Sequence, residues 1–583
     1  MTSAALGMIC ALSAGDLAQA ATTTTTAKHK HAHAPAGPDL AQQVKDLQAQ
    51  VEALQQTMAA QTQAQQQSQA QTAQAIADSQ AQAAQATATA RAAQAKLDMQ
   101  IEQIPGAVQT AVAAQPKPPT DKFYYKGITI TPGGFLEAAT IWRSSNLGSD
   151  MASSFAKVPF GNAALSHAQE FRVSGRQSRV SFLAEGNINQ DMKAAFYGEF
   201  DFLGAAQTAN SNESNSYNPR IRNVYGTVDW DSLGLHVLGG QNWSLITLNS
   251  KGITPRNEVT PTAIDAQYVP GFAWARQPQI RLVKDFADKQ AWIAVSAENP
   301  QSTFTGTAGN ALPTGISVTD LVTGNTTING APAGSVASSG FNTVNTMSLN
   351  KLPDFVAKLA IEPEIMGSRP LHAEVFGLYR DFYDQITVTS ANTIGLKPGV
   401  REAAVDGGGV GGSITLTVWP KRLDLQGSFL TGKGIGRYGS AQLSDATLNA
   451  NGEIAPIHET MFLGGATFHA TPKLDLYIYG GEEKENSQIS AVGTTNFGFG
   501  DLAGTNFTDA GCKTIGGACS ATVRQVDQIT AGLWDKAITG PYGQIRLGLQ
   551  YSHTWLTGFA GPNGFAPTTS EDMVFTSFRY YPF

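Results

Sequence analysis

The chain has 583 residues, 15% of them charged, with 59 glycines and a formal net charge of −7 at pH 7. This length exceeds that of one compact soluble domain, and the mild acidity gives no reason to expect nucleic acid as a partner. No stretch approaches the roughly 18 consecutive apolar residues of a membrane-spanning helix. If the chain crosses a membrane, it must therefore do so with strands that close into a barrel.

Residues 1–20 are predicted to be a signal peptide. The segment contains a short apolar part, and Ala18 and Ala20 form a small-x-small cleavage site. The usual positive charge before the apolar part is missing. We do not expect a lipoprotein, because Ile9 rather than a small residue precedes Cys10.

Residues 21–38 are rich in Thr, His and Pro, and we predict that they form a flexible segment. Three histidines at a spacing of two could bind a metal, but we interpret them as solvated tail residues: His29, His31 and His33. No metal site is therefore predicted in this segment.

Residues 39–104 are rich in Ala and Gln and carry apolar residues at alternating spacings of four and three, the pattern of a coiled coil. This seam consists of Leu40, Val44, Leu47, Val51, Leu54 and Met58. The pattern returns near Ile101, shifted by one residue. We predict a helical oligomerisation stalk of roughly 100 Å, self-associated as a trimer, with a disordered tether as the alternative. The Pro-rich residues 105–122 are predicted to be a stiff linker.

From residue 123 to residue 583, apolar and polar residues alternate along successive segments, as in strands with one apolar and one polar face. One segment places Phe196 and Phe200 on the apolar side and Glu199 on the polar side. The repetition favours a transmembrane β-barrel over a soluble β-protein. The length of this region corresponds to about 16 antiparallel strands, with short turns at one end and long polar loops at the other. Segment 470–472 fits a short turn, and segments 301–346 and 485–521 fit long loops.

Cys512 and Cys519 lie in a Gly-rich polar stretch, and in an oxidising compartment such a pair predicts a local disulfide that staples a loop. No further ligand lies nearby in the sequence to support a metal or redox site. The GxSxG and HExxH motifs and a phosphate-binding loop are all missing from the sequence. We therefore predict that the chain is not an enzyme and has no cofactor.

Four short segments resemble the early hairpins of Gram-negative outer-membrane porins: 178–182, 193–202, 223–226 and 239–244. The terminal Phe583, with Tyr581 two residues before it, resembles the signal that the barrel-assembly machinery recognises. Among porins, the chain resembles the DcaP-like family, because a predicted coiled coil precedes its barrel. This resemblance implies a homotrimeric channel in the outer membrane, surrounded by lipid and lipopolysaccharide, with its stalk in the periplasm and small anions such as dicarboxylates as its substrates.

The last strand departs from the porin pattern. Arg579 shares the parity of Phe575, Tyr581 and Phe583, where an apolar residue is expected. Pro582 is tolerable only at the margin of a closing strand. A bulge near Arg579 would restore the pattern by exchanging the two faces, and without one the departure weakens the resemblance to the assembly signal.

Parity places a set of charged side chains on the polar face, where they would line a water-filled lumen. These candidates are Arg179, Lys193, Glu199, Asp201, Arg281, Arg422, Asp424 and Arg546. A surplus of arginine attracts anions and binds carboxylates through paired hydrogen bonds. We predict passive diffusion of small hydrophilic solutes, with a preference for small carboxylates. The alternative is that these arginines are paired in the wall or lie on loops.

Two further arginines do not fit the lumen set. Arg220 and Arg222 share the parity of the lipid-facing Val224, so we expect them to precede their strand.

A structural role is the competing hypothesis for the whole chain. The stalk would bind peptidoglycan and tether the outer membrane to the cell wall, and the barrel would be plugged. The long polar loops leave an adhesin as a further alternative.

Overall fold

The computed structural model describes residues 40–102, 122–204, 218–304, 312–318, 340–341, 350–365, 369–500, 510–519, 521–561 and 564–583. The chain divides into two compact units, Met1–Pro118 and Pro119–Phe583. The predicted signal peptide, the segment 21–38 and residues 105–121 of the predicted linker lie outside the described residues.

In the first unit, the described residues form one continuous helix, α1 (Leu40–Glu102), of 63 residues. At 1.5 Å per residue it is about 95 Å long. The shift in the apolar pattern does not interrupt it, because its middle consists largely of Ala and Gln, which are good helix formers. The seam residues Val51, Leu54 and Met58 are 53%, 64% and 64% exposed. The side chains of the first three seam positions lie outside the described ones, and self-association through the seam stays a prediction.

The second unit begins with β1 (Phe123–Tyr125), β2 (Ile128–Arg143), β3 (Glu170–Ser174), β4 (Arg179–Asn187), β5 (Met192–Gly204), β6 (Asn218–Trp230), β7 (Leu235–Trp243), β8 (Arg276–Phe286) and β9 (Ala291–Glu298). It continues with β10 (Thr303–Phe304), β11 (Ile316–Val318), β12 (Gly340–Phe341), β13 (Asp354–Ile361), β14 (Glu364–Ile365), β15 (Arg369–Val388), β16 (Gly399–Trp419), β17 (Leu423–Lys433), β18 (Ala446–Leu448) and β19 (Ile454–Pro456). The last strands are β20 (His458–His469), β21 (Leu474–Glu485), β22 (Gln488–Val492), β23 (Thr495–Phe499), β24 (Val523–Gly540), β25 (Gly543–Gly558) and β26 (Thr568–Tyr581). Short 3-10 helices span Phe155–Lys157, Ala164–His167 and Gly436–Tyr438.

These strands form a closed antiparallel barrel with sixteen wall positions in the described part of the chain, which confirms the predicted strand number. β3 and β4 share one position, since both pair with β2. The barrel closes where β2 pairs with β26, from Leu136 opposite Tyr580 to Arg143 opposite Met573. None of the described helices combines the length and the apolar character needed to cross a membrane.

The two faces of the wall differ in polarity. On β8, Ile280 and Leu282 point outward and are 69% and 46% exposed, whereas Gln279 and Arg281 point inward and are 5% and 2% exposed. An apolar outer face with a polar inner face is typical of outer-membrane barrels. On β8 the alternation in the sequence therefore identified both faces correctly.

The two ends of the barrel also differ. Short turns join the strands at one end, which we call the short-turn end: 188–191, 231–234, 287–290 and 470–473. Long connections lie at the opposite, long-loop end. β2 begins and β26 finishes at the short-turn end.

Three long connections fold into the barrel: loop A (144–169), loop B (244–275) and loop C (434–457). They bury apolar side chains against one another and against the wall, including Met151, Phe155, Ile264, Val269, Phe272 and Leu443. The main apolar core therefore lies inside the barrel.

A β-bulge in β6 corrects one prediction. Glu199 of β5 pairs with Asn223, but the next residue, Phe200, pairs with Ile221, so Arg222 is the extra residue. The bulge turns Arg222 inward, where it is 3% exposed. Arg222 lies within β6 and does not precede it, and the same holds for Arg220, so the prediction for both residues is wrong.

No bulge lies near Arg579 in β26. Between Thr568 and Tyr581, β26 pairs with β25 without a shift in register. Phe575, which is fully buried, and Arg579 therefore face inward, whereas Phe578 faces outward and is 44% exposed. An apolar residue was expected at position 579 because the terminal aromatic residues had been assigned to the lipid face.

Candidate functional site

A cavity of about 460 Å³ lies inside the barrel, between loop B and the wall. Its charged lining residues are Arg179, Glu199, Asp201, Arg222, Asp265, Asp475, Arg546 and Arg579. Four of the eight predicted lumen residues line this cavity, namely Arg179, Glu199, Asp201 and Arg546. The cavity is the candidate site.

Neighbouring strands β4, β5 and β6 form one ion-pair network along the cavity. Arg222 contacts Glu199 at 2.5 Å and Asp201 at 2.9 Å. Arg220 contacts Asp201 at 2.7 Å, and Arg179 contacts Glu199 at 3.5 Å. Three guanidinium groups face two carboxylates, so this part of the wall carries an excess of positive charge.

Arginine and aromatic side chains alternate on the other side of the cavity. The guanidinium of Arg579 lies between the rings of Phe135 and Trp534, 4.6 Å and 4.5 Å from their centroids. Its Nε also contacts Glu137 at 2.8 Å. Arg546 lies 4.4 Å from the ring centroid of Tyr581. Such contacts hold the arginine side chains in fixed positions.

Arg546 and Arg579 are directly opposite each other on β25 and β26. Like charges at opposed positions of a sheet repel each other. Arg579 is compensated by Glu137, whereas Arg546 donates to Gln544 and has no ion-pair partner among the described residues. The pair therefore presents one uncompensated positive charge to the cavity.

Loops A, B and C meet across the barrel at what we call the loop junction: Met151, Ser153, Asp265–Val269 and Ser440. Ser153 N donates to Asp265 Oδ1 at 3.1 Å, and Ala266 N donates to Met151 O at 3.1 Å. Gln267 Nε2 donates to Ser440 O at 2.5 Å. A second cavity of about 420 Å³ lies between the three loops, and Ser153, Gln267 and Ser440 line it. The loop junction therefore separates the two cavities.

Asp265 is the titratable group of the loop junction. It is 2% exposed, and its Oδ2 has no hydrogen-bond partner among the described residues. Burial raises the pKa of Asp265, while Arg143 nearby partly opposes this shift. The other oxygen, Oδ1, accepts hydrogen bonds from Ser153 N and Gln267 N, which also oppose the rise in pKa.

A buried ion pair fixes loop B to the wall. Lys358 Nζ lies 2.9 Å from Glu374 Oε2, and both side chains are 0% exposed. Lys358 Nζ also donates to Thr247 O at 2.7 Å, and Asn249 N donates to Glu374 Oε1 at 3.1 Å. Lys358 and Glu374 thus bond both to each other and to the backbone of loop B.

Loop C is fixed by a similar group of buried charges. Arg380 contacts Asp354 at 3.2 Å and Asp445 at 2.8 Å, and all three side chains are 0% exposed. Arg437 and the hydroxyl of Tyr438 also contact Asp354, at 3.3 Å and 2.8 Å. The positions of the loops inside the barrel therefore depend on buried charge pairs of the wall.

The remaining predicted lumen residues lie elsewhere. Arg281 points inward but is covered, and its Nη2 donates to Trp243 O at 2.7 Å. Lys193 lies at the short-turn end, paired with Asp231 at 2.6 Å. Asp424 accepts a hydrogen bond from Thr417 near the same end.

Arg422 lies outside the strands altogether. It is exposed in the turn between β16 and β17, 5.9 Å from the ring centroid of Trp419. This position does not support a role in lining the lumen.

Sequence reasoning missed several cavity residues, among them Phe135, Arg222, Asp265, Trp534 and Arg579. The unusual parity of Arg579 was the available signal, because it marked the inward face of the last strand. Nothing in the local sequence pointed to Phe135 or Trp534.

Cys512 and Cys519 form a disulfide bond. The ring that it closes holds loop A, because Asn162 N donates to Cys512 O at 2.9 Å and Asn162 Nδ2 donates to Gly517 O at 3.0 Å. Gly516 N donates back to Asn162 O at 2.9 Å. The disulfide therefore closes a ring within one connection at the long-loop end, and hydrogen bonds of Asn162 join that ring to loop A.

No protein-family model matches the sequence, and no curated protein matches it. The outer-membrane channel DcaP of Acinetobacter baumannii is structurally similar, with a TM-score of 0.50 and 16% sequence identity over 79% of this chain and 99% of that chain. The chain has the DcaP-like porin fold. The anion-selective porin from Comamonas acidovorans has a TM-score of 0.40 at 11% identity, over 78% of this chain and 99% of that chain. The trimer form of OmpT from Vibrio cholerae has a TM-score of 0.39 at 11% identity, over 78% and 100%.

Proposed function

We propose that the chain forms a channel in the outer membrane of a Gram-negative bacterium, through which small hydrophilic solutes diffuse passively. The observation that carries this proposal is the closed barrel with an apolar outer face and a charged cavity inside. Such a wall matches lipid outside and water inside. The porin fold supports the same conclusion, and the chemistry needs no catalytic group or cofactor.

The proposed channel prefers small anions such as carboxylates. Arg546 supplies a guanidinium group without an ion-pair partner among the described residues, opposite Arg579 in the neighbouring strand. A carboxylate between these two side chains would reduce their mutual repulsion and accept paired hydrogen bonds. The excess of arginine on β4–β6 adds to this positive field.

The test is the reversal potential of the purified protein in a planar bilayer under a salt gradient. We expect an anion-biased value that Arg546→Ala moves toward cation preference. Arg422→Ala removes the same charge from an exposed turn outside the cavity and should leave the value unchanged. An equal reversal potential in wild type and Arg546→Ala would contradict the proposed anion site.

We propose that the chain is a homotrimer with a periplasmic coiled-coil stalk. The support is the exposed apolar seam of α1, which three copies would cover. β2 begins at the short-turn end, the periplasmic side of outer-membrane barrels, so the chain enters the barrel from that side. The barrel-assembly machinery, lipopolysaccharide and peptidoglycan are the further partners that this placement suggests.

The seam can be tested in the full chain. Val51→Gln/Leu54→Gln should weaken the oligomer, measured as loss of the trimer band on unheated gels. Ala53→Gln, off the seam on the same helix, is the control. An unchanged trimer in the seam variant would show that α1 does not hold the subunits together.

A plugged barrel that tethers the membrane is the second candidate. The observation in its favour is the loop junction, where three loops bond to one another across the interior. A measurement of ion conductance distinguishes the two functions, because a tether does not need to conduct ions. A folded barrel without conductance, together with binding of the protein to purified peptidoglycan, would support the tether.

A further inference from the structure

The end of the chain lies at the cavity and not on the outer surface. Tyr581 and Phe583 both line the cavity. The ring of Tyr581 lies 5.2 Å from the ring of Phe135, and Arg546 lies on it at 4.4 Å. An aromatic ring held between another ring and a cation occupies a defined position.

Strand pairing explains why the end of the chain turns inward. β26 pairs with β2 only as far as Tyr580, whereas its pairing with β25 continues to Tyr581. The edge of β2 below this point is occupied by β1, which pairs with residues 128–130. The last residues therefore leave the edge of β2 before the strand would be complete.

Gly543 makes room for this path. Its φ is +103°, and a Cβ at this position would lie 2.0 Å from Tyr581 O. A side chain at residue 543 would therefore force the end of the chain away from β25. Glycine alone combines this backbone angle with so close an approach.

We propose that Tyr581 forms the periplasmic exit of the permeation pathway and sets its width. This inference rests on the proposed channel function. The aromatic ring narrows the cavity from the short-turn end, and Arg546, held on that ring, places its charge at the same level. Phe578 lies on the opposite, outward face of β26, where it is 44% exposed, and has no such role.

Cysteine labelling tests the position of Tyr581 independently of conductance. Cys512 and Cys519 are joined to each other, so Tyr581→Cys in a Cys10→Ser background supplies a single thiol. A negatively charged, water-soluble thiosulfonate should modify this cysteine in protein reconstituted in vesicles. Phe578→Cys should stay unmodified. A Tyr581→Cys variant that resists the reagent, in a barrel that folds normally on unheated gels, would overturn the inference.

Conductance tests the width. Tyr581→Ala should raise the single-channel conductance, Tyr581→Phe should keep the wild-type value because the ring remains, and Phe578→Ala should leave it unchanged. An unchanged conductance in a Tyr581→Ala channel that folds normally on unheated gels would refute a narrowing role. If the wild-type protein itself does not conduct, the channel function fails, and labelling alone then decides whether Tyr581 faces water.

Discussion

Replacing Lys358 with Met should destabilise the barrel strongly, because this residue fixes loop B to the wall. Lys358 is 0% exposed and bonds to Glu374 at 2.9 Å and to Thr247 O at 2.7 Å. Methionine has a similar volume but no charge or donor. The substitution would therefore leave the Glu374 carboxylate buried without its counter-charge.

Removing one partner of a buried ion pair costs about 3–5 kcal/mol. Glu374 would keep two contacts, with Asn249 N at 3.1 Å and with His372 Nε2 at 2.9 Å. We therefore expect the lower part of that range, about 3 kcal/mol. Lys358→Met/Glu374→Gln removes both charges, so its cost should be smaller than the sum of the two single costs by about 1–3 kcal/mol.

The assay is urea unfolding in lipid vesicles, followed by tryptophan fluorescence. Lys351→Met is the matched control. Lys351 also lies 2.9 Å from a glutamate, Glu402, but the two side chains are 44% and 58% exposed. Water screens such a pair, so the control should unfold like wild type.

The result would refute the reasoning if Lys358→Met cost less than about 1 kcal/mol and showed no coupling with Glu374→Gln. In that case the contacts of loop B with the wall would not depend on this ion pair.

Three further predictions concern the loops and turns. Cys512→Ser/Cys519→Ser should release Asn162 and make the long-loop end more sensitive to added protease. The disulfide spans a separation of 7 residues, for which the loop-entropy contribution to stability is about 2.5 kcal/mol. Unchanged proteolysis in the variant would contradict this role. Burial raises the pKa of Asp265, so the folded protein holds this proton to a higher pH than the unfolded chain does, and stability should fall as pH rises from about 4 through the raised value. Urea midpoints across this range should show a weaker fall in Asp265→Asn, and equal slopes would argue against the assignment. Asp288, in the exposed turn between β8 and β9, has a φ of 51°, a backbone conformation that is strained for residues other than glycine. Asp288→Gly should therefore stabilise the barrel by about 0.5–1 kcal/mol. A loss of stability on urea unfolding would contradict this backbone strain.

The barrel could be predicted from the sequence because its main signal is local. A strand exposes alternate residues to opposite faces, so Phe196 and Glu199 already indicate lipid on one side and water on the other. The number of strands followed from dividing the length of the region by a typical strand with its share of connection, although the wall strands themselves range from 8 residues in β9 to 21 residues in β16.

The alternation of residues along a strand predicted which face a side chain occupies but not whether water reaches it. Arg281 points inward as predicted, yet it is only 2% exposed and its guanidinium donates to Trp243 O. Arg422 has the right parity but lies in a turn, where strand alternation no longer applies. The contacts that position the loops join residues far apart in the chain, such as Gln267 and Ser440, at a separation of 173 residues. No local pattern carries that information.

Departures from alternation were the most informative positions of the wall. Arg222 breaks the parity of β6 because a bulge turns it toward Glu199 and Asp201. Arg579 departs from the parity expected for β26, but the strand is regular and its inward face is the one that carries the terminal Tyr581. An arginine on an apolar face would have to leave its charge in lipid, which is costly at the depth of the membrane. A charged residue at an apolar position therefore indicates either a bulge or a wrongly assigned face, and its neighbours on the next strand distinguish the two.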